Sequence, residues 1–293
     1  MSDVLTIHTY AKINLILRVS PPTSEGMHPI GSWMHSIDLS DIISIERIED
    51  SASEFDIRWS DGESVQWDIE SDLVYRAHTI FEQHSGERFP VRVRVQKHIP
   101  AGGGLGGGSS NAAGVLMALN ELSGSRFSEQ QLQEMAHEIG SDIPYFIDLE
   151  SFNTRKPARP AIVSGIGDHI ERTQRVKSGI TLLIPNFGCP TGMVYRAFDD
   201  RSDHAPFDLS AIQQAATSGN LEASSIINDL QEPATNVVPE LKAIMQRLQS
   251  IGVHPHLSGS GSTMFVIGAM DAITRSRIGE RIPELRIIET RLV

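Results

Sequence analysis

The first part of the chain alternates apolar and polar positions with a period of two. Ile13, Leu15, Leu17 and Val19 alternate with Asn14, Ile16, Arg18 and Ser20, which predicts a strand with one largely buried face. Ile43 and Ile45 repeat the signal, as do Phe55, Ile57 and Trp59, and then Val65, Trp67 and Ile69, each set bounded by Asp, Ser or Gly turns. Val91, Val93 and Val95 alternate with Arg92, Arg94 and Gln96, the mark of a half-exposed strand. A helix is predicted after Ser71 or Asp72, burying Leu73, Ala77, Ile80 and Phe81.

Helical spacing then takes over. Ser109 and Ser110 are placed to cap a helix whose Val115, Leu116, Leu119 and Leu122 share a face and which ends at Gly124. Ser128 with Gln131 forms a capping box before a helix through Leu132, Met135 and Ile139, ended by Gly140. A short helix starts near Ile143 with Pro144 in its first turn, where proline is tolerated. Between 151 and 164 the pattern lapses: Arg155, Lys156, Pro157, Arg159 and Pro160 predict a long loop or a domain junction. Afterwards come a strand at 180–184, helices at 191–198, 208–217 and 238–249, a glycine-serine loop at 258–262, a strand at 264–267, a helix, and a closing strand at 287–292. Strands and helices interleaved in both halves predict an α+β fold with mostly antiparallel sheets.

Composition narrows the class. The chain has 293 residues, 40% hydrophobic and 21% charged, which excludes collagen-like, disordered and coiled-coil chains and fits two domains or one large one. A net charge of −12 argues against a non-specific nucleic-acid binder. It leaves open a phosphate ligand, because backbone N–H groups bind phosphate without net positive charge. The single cysteine, Cys189, forms no intrachain disulfide and fits a reducing cytosol. Met1 to Val4 carry no signal-peptide pattern, and no run approaches the length of a membrane span, so a cytoplasmic protein without membrane partners is expected. The 11 histidines show no metal signature: His137-Glu138 lacks a second histidine four positions on, and His254 and His256 flank a proline.

The densest signal is glycine. Six of the 24 glycines lie within Gly102-Gly103-Gly104-Leu105-Gly106-Gly107-Gly108, directly before Ser109-Ser110-Asn111-Ala112-Ala113. Ordering that many glycines costs entropy, and a plain linker would not lead straight into a capped amphipathic helix. A backbone without Cβ atoms approaches a bulky anion closely, and the helix start adds N–H groups and a positive dipole end. Ser109 and Ser110 add hydroxyls for phosphate oxygens or Mg²⁺. A Walker A loop is excluded, since no lysine stands between Gly108 and Ser109. Gly102, Gly104 and Gly107 satisfy the dinucleotide fingerprint formally, yet the next element is a helix rather than the strand that fingerprint requires.

Thr9-Tyr10-Ala11-Lys12-Ile13-Asn14-Leu15 sets Lys12 and Asn14 on one face of the first long strand. Leu257-Ser258-Gly259-Ser260-Gly261-Ser262-Thr263 is a second small-residue loop before a strand. Read alone, Lys12 serves equally as a solvated strand-end lysine, and Asp142, at the start of the short helix, as a simple N-cap.

With the glycine run, Ala11-Lys12-Ile13-Asn14-Leu15, the late loop, Gly140-Ser141-Asp142-Ile143-Pro144-Tyr145-Phe146, Asn228-Asp229-Leu230 and Val238-Pro239-Glu240-Leu241, the chain resembles the GHMP kinases along essentially its whole length. The resemblance implies an ATP-dependent small-molecule kinase of two α+β domains. The first, ribosomal protein S5 domain 2-like, is expected over 1–162, and the second, ferredoxin-like, over 163–285, with the closing strand 286–293 free to return to the first. It implies Asp142 as general base with Lys12 as its cationic partner, and ATP with Mg²⁺ as cofactors. Nucleotide contacts are expected from Lys97, Gly102, Gly103, Gly104, Leu105, Gly106, Gly107, Gly108, Ser109 and Ser110, with Ser110 also facing the metal. The most similar members act on a cytidine diphosphate-linked alcohol in isoprenoid precursor synthesis. By that likeness Asn14 contacts substrate, His28 bonds the cytosine ring, and Thr191 and Tyr195 flank the cytidine. Ser260 and Thr263 belong to the loop that closes over the phosphates. Met27 stands where relatives carry a tyrosine, Asp72 where an asparagine is usual, and the basic 148–168 segment is longer than theirs. A GHMP kinase for another small alcohol, of homoserine or mevalonate type, and a non-catalytic ATP-binding protein are the alternatives. No nucleic-acid partner is implied, and a monomer or homodimer is expected.

Overall fold

The computed structural model describes residues 4–49, 52–201, 207–219 and 221–293. Its contacts divide the chain into two compact units. Unit 1 comprises 1–11, 39–100 and 106–159; unit 2 comprises 12–38, 101–105 and 160–293. The units therefore do not follow one cut near 162. The second strand and the glycine run each contribute to both.

In unit 1 the strands β1 (Leu5–Val19, to Ala11) and β2 (Ile30–Arg47, from Leu39) are joined by β3 (Glu54–Trp59), α1 (Leu73–Ser85), β4 (Val91–Lys97), α2 (Gly107–Leu122), α3 (Glu129–Ile139), α4 (Ile143–Phe146) and α5 (Leu149–Asn153). β4 pairs antiparallel with β2, setting Val93 opposite Ile45 and Val95 opposite Ile43, and parallel with β3. The predicted alternation holds: the valines of β4 are buried and Arg94 is exposed. The helices pack on one another through Val74, Ala77, Phe81, Leu116, Leu119 and Leu132, all buried, and Phe81 meets Phe89 and Phe127 edge-on. Val65, Trp67 and Ile69 form no named strand. Asp68 caps a short 3₁₀ turn at Ile69–Ser71, and Asp72 caps α1 while accepting the Trp67 indole N–H at 2.7 Å, so capping carboxylates override the period-two pattern.

Unit 2 holds the rest of β1 and β2, then β5 (Ala161–Gly165), β6 (His169–Arg172), β7 (Gly179–Pro185), α6 (Thr191–Asp199), α7 (Leu209–Ser218), β8 (Ile227–Asn228), α8 (Gln231–Val237), α9 (Pro239–Ser250), β9 (His256–Leu257), β10 (Met264–Ile267), α10 (Ala272–Arg281) and β11 (Leu285–Arg291). β5 pairs with the start of β2 and with β6, and β8 runs parallel to β1 at Ile16 and Leu17. The other sheet has the order β11-β7-β10-β9, all antiparallel, which is the ferredoxin-like order. Leu183, Leu241, Leu248, Leu257, Met264 and Ile278 fill its core. The closing strand lies along β7, and its end returns to β2, where Leu292 bridges Ile37 and Val293 N–H bonds Ser36 O. The lapse at 151–164 is filled by α5 and β5, leaving only 154–160 irregular. α8, whose residues show no clear periodicity, is an element the patterning does not predict.

A buried histidine gives unit 2 a pH dependence. His35 Nδ1 donates to Ser36 O at 2.9 Å, while its Nε2 accepts Val176 N–H at 3.2 Å, so Nε2 must be unprotonated. Burial, with the Arg175 charge adding to it, holds the imidazole down at about 4. The unfolded chain takes up this proton near 6.5, so stability is complete above that pH and is lost as pH falls toward 4, by roughly 3 kcal/mol in all. His35→Gln should flatten that part of the urea-unfolding profile between pH 7 and 4.5. An unchanged profile would mean that other groups carry the acid sensitivity.

Candidate active site

β1 carries the first part of the site. Its middle is buried on both faces, not one, because the polar side chains at Lys12 and Asn14 are only 2% exposed. They satisfy each other: Lys12 Nζ donates to Asn14 Oδ1 at 2.8 Å. Asn14 Nδ2 donates to Ser32 Oγ at 2.8 Å, and Ser32 Oγ donates to Ile16 O at 2.8 Å. This one-way chain of donors fixes the Asn14 amide with its oxygen toward the ammonium. Lys12 is thus a buried, oriented cation rather than a solvated strand-end residue.

Two small-residue loops meet beside it in unit 2. Lys12 N–H bonds Leu105 O at 2.9 Å, at the end of the first half of the glycine run. Thr263 N–H bonds Gly103 O at 3.1 Å, and Ser258 Oγ donates to Gly104 O at 3.1 Å. The approach is so close that a Cβ on Gly104 would lie 2.1 Å from Ser258 O. A Cβ on Gly259 would lie 3.3 Å from Asn14 Oδ1 and 3.6 Å from Lys12 Nζ. Asn228 Nδ2 holds the late loop by donating to Leu257 O and Gly259 O, both at 2.8 Å. Thr263 Oγ1 is buried beside Gly103 with no hydrogen-bond partner, an unsatisfied hydroxyl in the wall of the cradle.

The run continues in unit 1 as the start of α2. The N-cap is Gly106, at φ 69°, with no side-chain cap bond, so Ser109 and Ser110 lie inside the first turn and do not cap it. The left-handed cap needs glycine, and it starts the helix earlier than the serines suggest. Ser110 is 3% exposed. Lys97, at the end of β4, donates to Asp41 Oδ2 at 2.7 Å, with its side chain 5% exposed. Asp142 occupies the N-cap position of α4, yet its carboxylate makes no capping bond there. The serine helix start, Lys97 and Asp142 belong to unit 1, whereas Lys12 and the loop pair belong to unit 2.

A second cluster in unit 2 gathers His28, Thr191 and Tyr195. The His28 and Tyr195 rings are 4.8 Å apart, and His28 Nε2 pairs with Asp199 Oδ1 at 2.7 Å. Thr191 and Tyr195 lie one turn apart on α6, and Thr191 Oγ1 bonds Ser260 Oγ at 2.9 Å, tying this helix to the late loop. Met27 is exposed beside His28. In the basic 155–159 cluster both arginines are paired with carboxylates. Arg155 grips Glu121 and lies over Phe152, and Arg159 binds the buried Asp148, which holds its guanidinium protonated beyond the ordinary range.

Asp41 and Asp199, which contact Lys97 and His28, are residues that the sequence does not single out, whereas Asn228 and Ser258 lie in segments it does, without their partners being legible there. In each case the partners lie far along the chain. Among the described residues no cluster of three or more His, Cys, Asp or Glu is placed to hold a metal ion.

This architecture is that of the GHMP kinases, and the family described as GHMP kinases N terminal domain matches residues 72–148. The chain is 32% identical over 289 residues to the 4-diphosphocytidyl-2-C-methyl-D-erythritol kinase of Sulfurihydrogenibium sp., covering 98% of each. It is 34% identical over 274 residues to the chloroplastic 4-diphosphocytidyl-2-C-methyl-D-erythritol kinase of Mentha piperita, covering 91% of this chain and spanning 64% of that protein's length. The crystal structure of a 4-(cytidine 5'-diphospho)-2C-methyl-D-erythritol kinase superposes with a TM-score of 0.75 at 28% identity, covering 98% of this chain and 99% of that one. The chain belongs to the 4-diphosphocytidyl-2-C-methyl-D-erythritol kinase family of the GHMP kinases.

Proposed function

We propose that this protein transfers the γ-phosphoryl group of ATP to the 2-hydroxyl of 4-diphosphocytidyl-2-C-methyl-D-erythritol. The observation that carries the reading is the oriented Lys12–Asn14 pair beside two interlocked small-residue loops, in a chain whose full-length relatives bear that kinase's name. Phosphoryl transfer asks a protein mainly for positioning and for charge stabilisation at the migrating group. The glycine run and the α2 start cradle the triphosphate through backbone N–H groups, and the unsatisfied Thr263 hydroxyl supplies a further donor. Mg²⁺ is commonly held through substrate phosphates with one or two protein oxygens, and Ser110 is the residue we assign to it. When bound, the ion neutralises developing phosphate charge.

In this reading Asp142 takes the proton from the acceptor hydroxyl, and Lys12 keeps negative charge favourable where the alcohol oxygen attacks. Asn14 holds Lys12 and contacts the alcohol. His28 and Tyr195 present a ring surface and a polar edge to the cytosine, with Thr191 at the ribose side. The internally paired Arg155 and Arg159 have no part in the reaction. A cytoplasmic setting belongs to the same proposal and rests on the single cysteine; the plant relative is named chloroplastic.

The test is ADP release with ATP, Mg²⁺ and 4-diphosphocytidyl-2-C-methyl-D-erythritol, with CMP as a competitor against the alcohol. Turnover inhibited by CMP is expected. Turnover of a different alcohol, indifferent to CMP, would overturn the cytidine assignment while leaving a kinase.

A further inference from the structure

The glycine run closes round a polyphosphate only if its two flanks are held at a set separation, and unit 1 contains one group that grips both. Asp41, on β2, is fully buried. Its Oδ1 accepts the backbone N–H of His98 at 2.6 Å and of Ile99 at 2.8 Å, the residues that lead from β4 toward the run. Its Oδ2 accepts from Lys97 Nζ at 2.7 Å and from Asn111 Nδ2 at 2.9 Å. Asn111 lies on α2, just past the run. Thr9 Oγ1 donates to Asn111 Oδ1 at 2.6 Å, which turns the amide nitrogen toward Asp41. A carboxylate offers about four acceptor sites, and all of them are used here. The two flanks also touch: a Cβ on Gly107 would lie 2.8 Å from Ile99 Cγ2.

We propose that Asp41 is a positioning residue of the nucleotide site, a clamp that binds the entry flank through His98 and Ile99 and the exit flank through Asn111. Lys97 serves it by neutralising the buried carboxylate. Stability alone does not call for this arrangement, because a buried ion pair is often no more stabilising than apolar side chains of the same volume. What apolar groups cannot supply is a directional hold on two main-chain N–H groups and a helix side chain at once. The inference rests on the function proposed above only in taking the glycine run as the ATP loop.

The experiment measures ATP affinity by titration calorimetry, hydrogen exchange of amides 101–110, and thermal unfolding. Asp41→Asn combined with Lys97→Met removes both charges together, so no buried ammonium is stranded. If the loop then holds its competent geometry about one-tenth of the time, the apparent Kd for ATP rises about tenfold, with faster exchange in the run. Asn111→Leu keeps the ion pair and releases only the exit flank; it should move both readouts in the same direction, and it decides the matter if the double variant does not fold. Folded variants with parental ATP affinity and parental exchange in the run would overturn the clamp, leaving Asp41 an ordinary core ion pair. A parent protein that binds no ATP would instead overturn the nucleotide reading itself, and the clamp with it.

Discussion

Asp142→Asn is expected to lower kcat by about 10²–10⁴-fold, with little change in KM for either substrate or in unfolding temperature, if Asp142 is the base. The substitution is chosen because it separates the two roles open to this residue. Asparagine caps helices about as well as aspartate, so a capping residue would tolerate it with neither stability nor rate affected. Asn cannot accept a proton, so a base would not. Asp142 stands at the N-cap position of α4 without a side-chain capping bond to its first turn. The helix is held by other means: Pro144 in its first turn, and Ile143, Tyr145 and Phe146 all buried. Stability is therefore expected to be indifferent to the change. Steady-state kinetics with calorimetric unfolding check it. A kcat within about tenfold of the parent would remove Asp142 from the proton transfer, since a general base contributes more than that.

Local rules made much of this molecule legible. The capping box at Ser128 and Gln131 forms as its spacing predicts, and the period of two at β4 names its buried valines. Period two also placed Lys12 and Asn14 on one face, where the structure joins them. It did not reveal that this face is buried, because a polar pair in a strand reads as the solvent side. Burial becomes possible only through Ser32, on a strand that patterning cannot register against β1. The same limit hides Asp41: within β2 it looks like the polar half of an alternation, and its four partners come from β4, its exit and α2. Where local rules failed outright, a stronger local rule won. Gly106 in the left-handed region displaced Ser109 as the cap of α2, and Asp68 and Asp72 pulled the Val65–Ile69 alternation into turns. Chemistry-bearing residues were legible by type and spacing; what holds them was not, since those partners are long-range in the chain.

The glycine run shows how far composition can be converted into geometry, and it yields the second large expected effect. Gly104→Ala should cut kcat/KM for ATP by about 10²-fold or more and lower the unfolding temperature. Two costs combine. At φ +79° an L side chain is strained, at about 1–2 kcal/mol. The larger cost is contact: the new Cβ would stand 2.1 Å from Ser258 O, with Gly261 backbone atoms at 3.0 and 3.1 Å behind it. Backbone cannot rotate aside as a side chain can, so the two loops must part by about 1 Å, a displacement that costs on the order of 10²-fold in a positioned reaction. Parting would also lengthen the Ser258 Oγ bond to Gly104 O and the Thr263 N–H bond to Gly103 O. Gly102→Ala separates the two costs. Its φ of +71° imposes the same strain, but the nearest atom to its Cβ is Gly188 Cα at 3.8 Å, an ordinary contact. That variant should lose stability by the strain alone and keep kcat/KM for ATP within about tenfold, the factor that 1.4 kcal/mol represents. Equal losses in the two variants would mean that glycine serves here for backbone conformation only. A loss confined to Gly104→Ala would mean that the run is glycine because another backbone must lie against it.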